Sequence, residues 1–264
     1  MSNNPQYNWQ NKGARAQIAE ARTKEMAERY RQEISSCVAK TQTYRGQIIS
    51  APSQEPAASY TELLVPLDSV SAAYQERNGK TAILNFASYK HPGGGFLVGS
   101  RAQEECLCHE SFLYNVLSQQ QKYYAQNNKT LNRALYTNAA LYTPDVMFEH
   151  NGEAAPFDVL TCASPDFGTA AQYYHVSKEE NSAALRSRIR FVLDILNEQH
   201  VNTAILGAFG CGVFCQDGTE VAKLFQAEAA RTAWRESVKL VYAVIDSARG
   251  GNYQKFGEVF GKAQ

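Results

Sequence analysis

Fifteen residues constrain this chain more than any others: His91-Pro-Gly-Gly-Gly-Phe-Leu-Val-Gly-Ser-Arg-Ala-Gln-Glu-Glu105. They follow an apolar run at 81–87, Thr-Ala-Ile-Leu-Asn-Phe-Ala, which has strand length and no polar alternation. Such a run predicts a strand covered on both faces. They lead into residues 103–122, which read as a helix with the apolar stripe Leu107, Phe112, Leu113, Val116 and Leu117. The order is therefore strand, glycine loop, then two carboxylates at a helix start. Three glycines allow positive φ and close approach of a ligand to the backbone. The N–H groups of such a loop, like those of a helix N-terminus, suit an anion. Two acids beside an anion cradle oppose that purpose, and the conflict points to chemistry rather than binding alone.

A second loop repeats the pattern. Residues 203–208 form another apolar strand, which runs into Gly207-Ala-Phe-Gly210-Cys-Gly212-Val-Phe214, and a helix follows, capped by Asp217 or Thr219. Open α/β sheets bind ligands beyond the carboxyl ends of their strands, so two such loops would wall a groove of diphosphate size. Neither loop is a Walker A motif, and the first lacks the G-x-G-x-x-G spacing of a dinucleotide site.

The rest of the chain supports an α/β body. Strand candidates lie at 63–65, 134–141, 157–163 and 238–245, with helices at 69–77 and 179–199. The helix after the second loop carries Val221, Leu224, Phe225 and Trp234. Strand and helix alternate from about residue 81, which predicts a sheet covered on both sides. Ahead of it, residues 14–38 form one amphipathic helix through Ile18, Ala21, Met26, Tyr30, Ile34 and Val38, with Arg22, Lys24, Glu25, Glu28, Arg29, Arg31 and Glu33 on a solvated face. Residues 1–12 read as loose and 41–60 as a connector. Residues 1–60 are thus a helical extension with its connector, and 61–264 the main α/β domain.

Lys plus Arg (26) equals Asp plus Glu (26), which disfavours a nucleic-acid partner. Six cysteines occur without a C-x-x-C pair, so free thiols are expected rather than a metal knuckle or a disulfide framework. The start of the chain lacks the apolar core of a signal peptide, and no run approaches the roughly 18 apolar residues of a membrane span. A cytoplasmic, monomeric protein without membrane contact is the expectation.

Asn85-Phe-Ala-Ser, Pro92-Gly-Gly-Gly-Phe96, Gln103-Glu-Glu105 and Gly207-Ala-Phe-Gly-Cys-Gly-Val-Phe214 together resemble the microbial-type poly(ADP-ribose) glycohydrolases, a branch of the macrodomain fold. The resemblance spans roughly residues 60–246, with the four motifs in order, and more loosely the N-terminal helix. It implies a three-layer α/β/α macrodomain with a mixed central sheet. It also implies a groove for ADP-ribose or ADP-ribosylated substrates, and hydrolysis of the ribose–ribose bond with no metal or other cofactor. Carried over by position, Glu105 protonates the leaving oxygen, Glu104 holds hydroxyls of the distal ribose, and Gln103 supports the pair. Asn85 contacts the same sugar. Gly93, Gly94 and Gly95 line the diphosphate, Gly210, Cys211, Gly212 and Val213 close over it, and Phe214 packs on the distal ribose. One departure is Cys108-His109-Glu110-Ser111, where many relatives are basic; it bears on local contacts and substrate preference.

The residues alone leave alternatives open. Glycosidases commonly set two carboxyls across the scissile bond, one as acid and one as nucleophile or base. Adjacent side chains leave the backbone in different directions, so Glu104 and Glu105 suit a division of labour better: one protonates, the other positions. Cys211 could be a nucleophile or a small buried residue in a tight turn. Tyr89, Tyr114 or Tyr174 could stack on adenine. The five histidines are scattered, with His91 and His109 nearest the motif. Mono-ADP-ribosyl conjugates or ADP-ribose esters are alternative substrates, and a non-catalytic ADP-ribose reader is a rival class.

Overall fold

The computed structural model describes residues 11–46, 58–246 and 251–261. In chain order the elements are α1 (Lys12–Arg29), α2 (Arg31–Lys40), β1 (Gln42–Arg45), β2 (Tyr60–Val65), α3 (Ser69–Glu76), β3 (Thr81–Phe86) and a 3-10 turn at Phe96–Val98, with another later at Asn132–Ala134. Next come α4 (Gln103–Glu110), α5 (Leu113–Leu117), α6 (Gln121–Asn127), β4 (Ala139–His150), β5 (Glu153–Cys162), α7 (Phe167–Tyr174) and α8 (Lys178–Glu198). The last are β6 (Thr203–Gly207), α9 (Gly218–Ala229), β7 (Val238–Ala243) and α10 (Asn252–Phe260). Local chemistry sets many of the helix starts. Asn11, Asp68 and Asp217 cap α1, α3 and α9 through side-chain oxygens, and Ser177 with Glu180 forms a reciprocal capping box on α8.

Seven strands form one sheet in the order β1-β4-β5-β3-β6-β7-β2. The β1–β4 and β4–β5 pairs are antiparallel, and every other pair is parallel. This is the mixed sheet that the motifs imply. Alternate residues of a strand face opposite ways, and β3 divides accordingly. Ile83 packs with α1–α6, while Ala82 and Leu84 pack with α8, α9 and α10. Two apolar cores therefore sandwich the sheet, giving the expected three-layer α/β/α architecture. The centre of the sheet, β3 beside β6, sends both glycine loops out from neighbouring carboxyl ends.

Several local expectations change. The helix expected at 14–38 breaks at Tyr30, whose hydroxyl donates to Glu149 at 2.6 Å and whose ring packs on Phe112. The buried stripe of α1 is Arg15, Ala19, Arg22 and Met26, so Arg22 leaves the solvated face and Ala21 joins it. Arg22 is buried because Glu149 accepts from its Nη2 at 2.6 Å. The helix expected at 103–122 is three short ones. Ser111 turns extended, bridges to Phe148 of β4 and accepts the Leu113 N–H on its hydroxyl, which ends α4 and starts α5.

The strand expected at 134–141 begins only at Ala139, because Asn132, Arg133, Ala134 and Tyr136 all turn with positive φ. It then runs on through Pro144 and Asp145. A register shift between Thr143 and Val146 absorbs them, beyond the last β1 pairing at Tyr142. Residues 42–45, expected in a connector, form the edge strand β1. Trp234 lies past the end of α9, its indole N–H donating to the Ala229 carbonyl. The loose segment expected at 1–12 and the middle of the connector fall largely outside the described residues. All six cysteines are free. Among the described residues no helix is long and apolar enough to cross a membrane.

Candidate active site

Gln103 fixes where the acids stand. Its Nε2 donates to the Leu84 carbonyl at 2.9 Å and to Ser69 Oγ at 3.1 Å, and its Oε1 accepts the Phe86 N–H at 2.8 Å. The carboxamide thus pairs with the end of β3 as another strand would, and pins the first turn of α4 to the sheet. Both of its polar ends are engaged within the chain, so its geometry is that of a support.

Glu104 and Glu105 follow, 3% and 5% exposed. The backbone of the first glycine loop meets them. Gly95 N–H donates to Glu105 Oε1 at 2.8 Å. Ser88 N–H reaches Glu104 Oε2 at 2.7 Å, Ala102 N–H reaches Glu105 Oε2 at 2.6 Å, and Asn85 Nδ2 lies 3.3 Å from Glu104 Oε1. The groups held by this loop are the chain's own carboxyls. That resolves the conflict in the sequence, and it leaves the loop's Gly94 and Gly95 N–H groups already bonded.

The two carboxyls also converge. A Cβ on Gly94 would stand 2.6 Å from Glu105 Oε1 and 2.9 Å from Glu104 Oε2, so one glycine covers both tips. Neighbouring side chains on a helix diverge, but these two are drawn back together by the backbone N–H groups above them. Gly94 also sits at φ +59°, where a side chain is strained. Gly94→Ala is expected to lower the specificity constant at least about tenfold by displacing both acids. Steady-state kinetics on the folded variant checks this.

The electrostatics of the pair are unequal. Burial pushes the Glu104 carboxyl up to about 8, opposed by its hydrogen bonds from Ser88 and Asn85 and reinforced by the Glu105 charge. Glu104 is therefore largely protonated at neutral pH. Its neighbour Asn85 is fully buried, and its Oδ1 has no hydrogen-bond partner among the described residues. A buried acceptor of this kind is costly without a partner, and a ligand hydroxyl would supply one.

The second loop is arranged differently. Among the described residues the N–H groups of Gly210, Gly212, Val213 and Phe214 donate to nothing in the chain. Val213 is 82% exposed. Phe214 packs edge-on against Tyr136, and its carbonyl accepts the Gly168 N–H. Gln216 anchors the loop through Asn181 and the Pro165 carbonyl. This loop, more than the first, presents donors to an anion. Burial pushes the Cys211 thiol up to about 12, which fits a packing residue and not a thiolate nucleophile.

The remaining candidates separate cleanly. Tyr89 is buried and stacked on Tyr136, and Tyr114 packs against Phe96 beneath Gly93. Of the three tyrosines only Tyr174 is exposed. His91 is exposed, and its carbonyl accepts the Gly94 N–H. His109 is buried edge-on to Phe96, and burial, then Arg22 and Arg15, lowers it to about 4. Glu110 turns away to His150 at 2.5 Å. Sequence reasoning missed Ser88 and Ala102, which act through backbone N–H groups that no residue type announces, and Thr161, 3.3 Å from Asn85.

The model of the microbial-type PARG catalytic domain matches residues 13–151, more than half of the chain. The chain belongs to this family. Its solved relatives are similar over nearly their whole length. Poly(ADP-ribose) glycohydrolase from Thermomonospora curvata is 29% identical with a TM-score of 0.78, covering 94% of this chain and 100% of that one. The same enzyme bound to the inhibitor ADP-HPD is 28% identical with a TM-score of 0.77, covering 93% and 99%. The Deinococcus radiodurans enzyme in complex with ADP-ribose is 29% identical with a TM-score of 0.74, covering 86% and 96%. No curated protein compared with the chain matches it. The microbial-type PARG match takes in the first glycine loop, the acid pair and helices α1 and α2, while the second loop lies beyond it.

Proposed function

We propose that this chain hydrolyses the ribose–ribose glycosidic bonds of poly(ADP-ribose) and releases ADP-ribose, with Glu105 as the proton donor. The observation that carries this is the acid pair buried beneath the glycine loop, with the Glu105 carboxyl fixed by two backbone N–H groups. Each Glu105 oxygen accepts one of these bonds and keeps a lone pair for a proton. That proton passes to the glycosidic oxygen as the bond to the ribose C1 breaks. The departing ribose leaves as an alcohol, water adds to the oxocarbenium-like carbon, and its proton returns to Glu105.

A neutral Glu104 can offer both a donor and an acceptor to ribose hydroxyls without repelling the diphosphate. Asn85 Oδ1 is placed to accept from the same sugar. The N–H groups of Gly210, Gly212 and Val213 suit the diphosphate, and Phe214 packs over the distal ribose. Gly93, Gly94 and Gly95 contribute a close surface rather than hydrogen bonds. Relatives solved with ADP-ribose and ADP-HPD support the ligand class.

The test is release of free ADP-ribose from poly(ADP-ribose), with calorimetric binding of ADP-ribose measured alongside. Release with binding is the expected result. Binding without release would make the chain a reader, or an enzyme for mono-ADP-ribosyl conjugates. Absence of both would overturn the proposal.

A further inference from the structure

Helix α1 grips the segment that carries the acids, and it does so at both ends. At the near end Arg15, 8% exposed, donates from Nε to the Gly99 carbonyl at 2.7 Å across 84 residues of sequence. Gly99 closes the turn that starts at Gly95. Its N–H donates to the Phe96 carbonyl, and the Val98 and Ser100 N–H groups both donate to the Gly95 carbonyl. Gly99 has φ +76°, and a Cβ there would lie 2.1 Å from the Lys12 carbonyl oxygen, so α1 presses directly on this turn. At the far end Arg22 Nε donates to the His109 carbonyl, in the last turn of α4, at 3.2 Å. The His109 ring fills the space between, its edge toward Phe96 with 4.7 Å between ring centroids.

A guanidinium taken out of water is expensive unless its position is over-determined. Here its bond falls on the backbone oxygen that ends the glycine loop. The same turn begins with Gly95, whose N–H holds Glu105 Oε1. We infer that Arg15 is a positioning residue for the hydrolysis, fixing the 95–99 turn and, through Gly95, the direction of the Glu105 carboxyl. The inference rests on the reading of Glu105 as proton donor. Arg15 bonds to the loop backbone and acts on the carboxyl through it, so its loss should slow turnover more than it weakens binding.

The experiment compares the full chain with Arg15→Met, which keeps the side-chain stem, and Arg15→Lys, which restores a donor. Arg15→Met should lower kcat on poly(ADP-ribose) about tenfold with KM within about twofold, and Arg15→Lys should recover most of the loss. Amide exchange at residues 95–100 should quicken in Arg15→Met, while Ile83 and Leu206 in the sheet keep their protection. If Arg15→Met does not stay folded, Arg15→Gln, whose amide Nε2 stands at the position of the Arg15 Nε, keeps the donor without the charge and is expected to keep kcat within about twofold of wild type, and a tenfold loss in the folded variant overturns the role. An Arg15→Met kcat within about twofold of an active wild type overturns the positioning role. So does a fall that merely tracks the folded fraction. A wild type that releases no ADP-ribose removes the proposed reaction instead, and the exchange measurement then still reports whether Arg15 holds the turn.

Discussion

Glu105→Gln is expected to lower turnover of poly(ADP-ribose) by about 10³-fold while ADP-ribose still binds. The glutamine cannot supply the proton, and its shape otherwise matches. Its fit is still imperfect, for a reason visible in the site. Glu105 accepts from Gly95 N–H on one oxygen and from Ala102 N–H on the other. A carboxamide has one acceptor oxygen, so its NH2 must face one of those two donors. A loss of about 1–3 kcal/mol in stability follows from that mismatch. Turnover, calorimetry and thermal unfolding on the same sample separate the three effects. Near-wild-type turnover in a folded Glu105→Gln would falsify the acid role. Loss of ADP-ribose binding in parallel would point to a site collapsed around the loop.

Stability is expected to fall between about pH 4.5 and 8 in the wild type and to fall much less in Glu104→Gln. Burial raises the Glu104 carboxyl from 4.5 to about 8 in the folded protein. Below the unfolded value both states carry the proton and the contribution is complete. Between the two values only the folded state holds it, so rising pH favours unfolding, and the contribution is gone once pH passes the folded value. Each pH unit in the window is worth about 1.4 kcal/mol, so the full span is several kcal/mol. Glu104→Gln is neutral throughout. Its oxygen can accept the Ser88 N–H group, and its NH2 can face an Asn85 carboxamide turned over to present Oδ1. Denaturation midpoints from pH 5 to 9 decide the matter, and parallel curves for the two proteins would remove the assignment. His109 works from the acid side. Its pKa is lowered to about 4, so its contribution is present above the unfolded value near 6.5 and is lost as pH falls from there toward 4.

Much of this was legible in residue patterns, and the limits of that legibility are physical. Buried central strands reveal themselves by continuous apolar runs, so β3 and β6 stand almost where 81–87 and 203–208 predict. Glycine loops announce themselves because few other residues can replace them. Edge strand β1, Gln-Thr-Tyr-Arg, carries no such run, because its stability comes from pairing with residues 139–142 of β4. Helix α1 misleads for a related reason. Arg22 looks like a solvent-facing cation until its partners, His109 and Glu149, arrive from 87 and 127 residues away. That burial raises the Glu104 carboxyl was equally hidden. Two adjacent glutamates are identical as letters, and only the surrounding packing reveals how deeply Glu104 is buried.

The order of strands in the sheet has a consequence for how the chain is made. Among the described residues strand β2, begun at Tyr60, pairs only with β7, beginning with Val238. Strand β1 waits for β4, almost a hundred residues later. Both ends of the sheet are therefore laid down early during synthesis and left without partners, and the strand that joins β2 to the rest is the last to emerge. Loop closures of this length make folding slow, and they expose apolar strand edges in the meantime. A ribosome-bound chain short of Val238 would hold the glycine loop and both glutamates, yet lack a closed sheet to set them on.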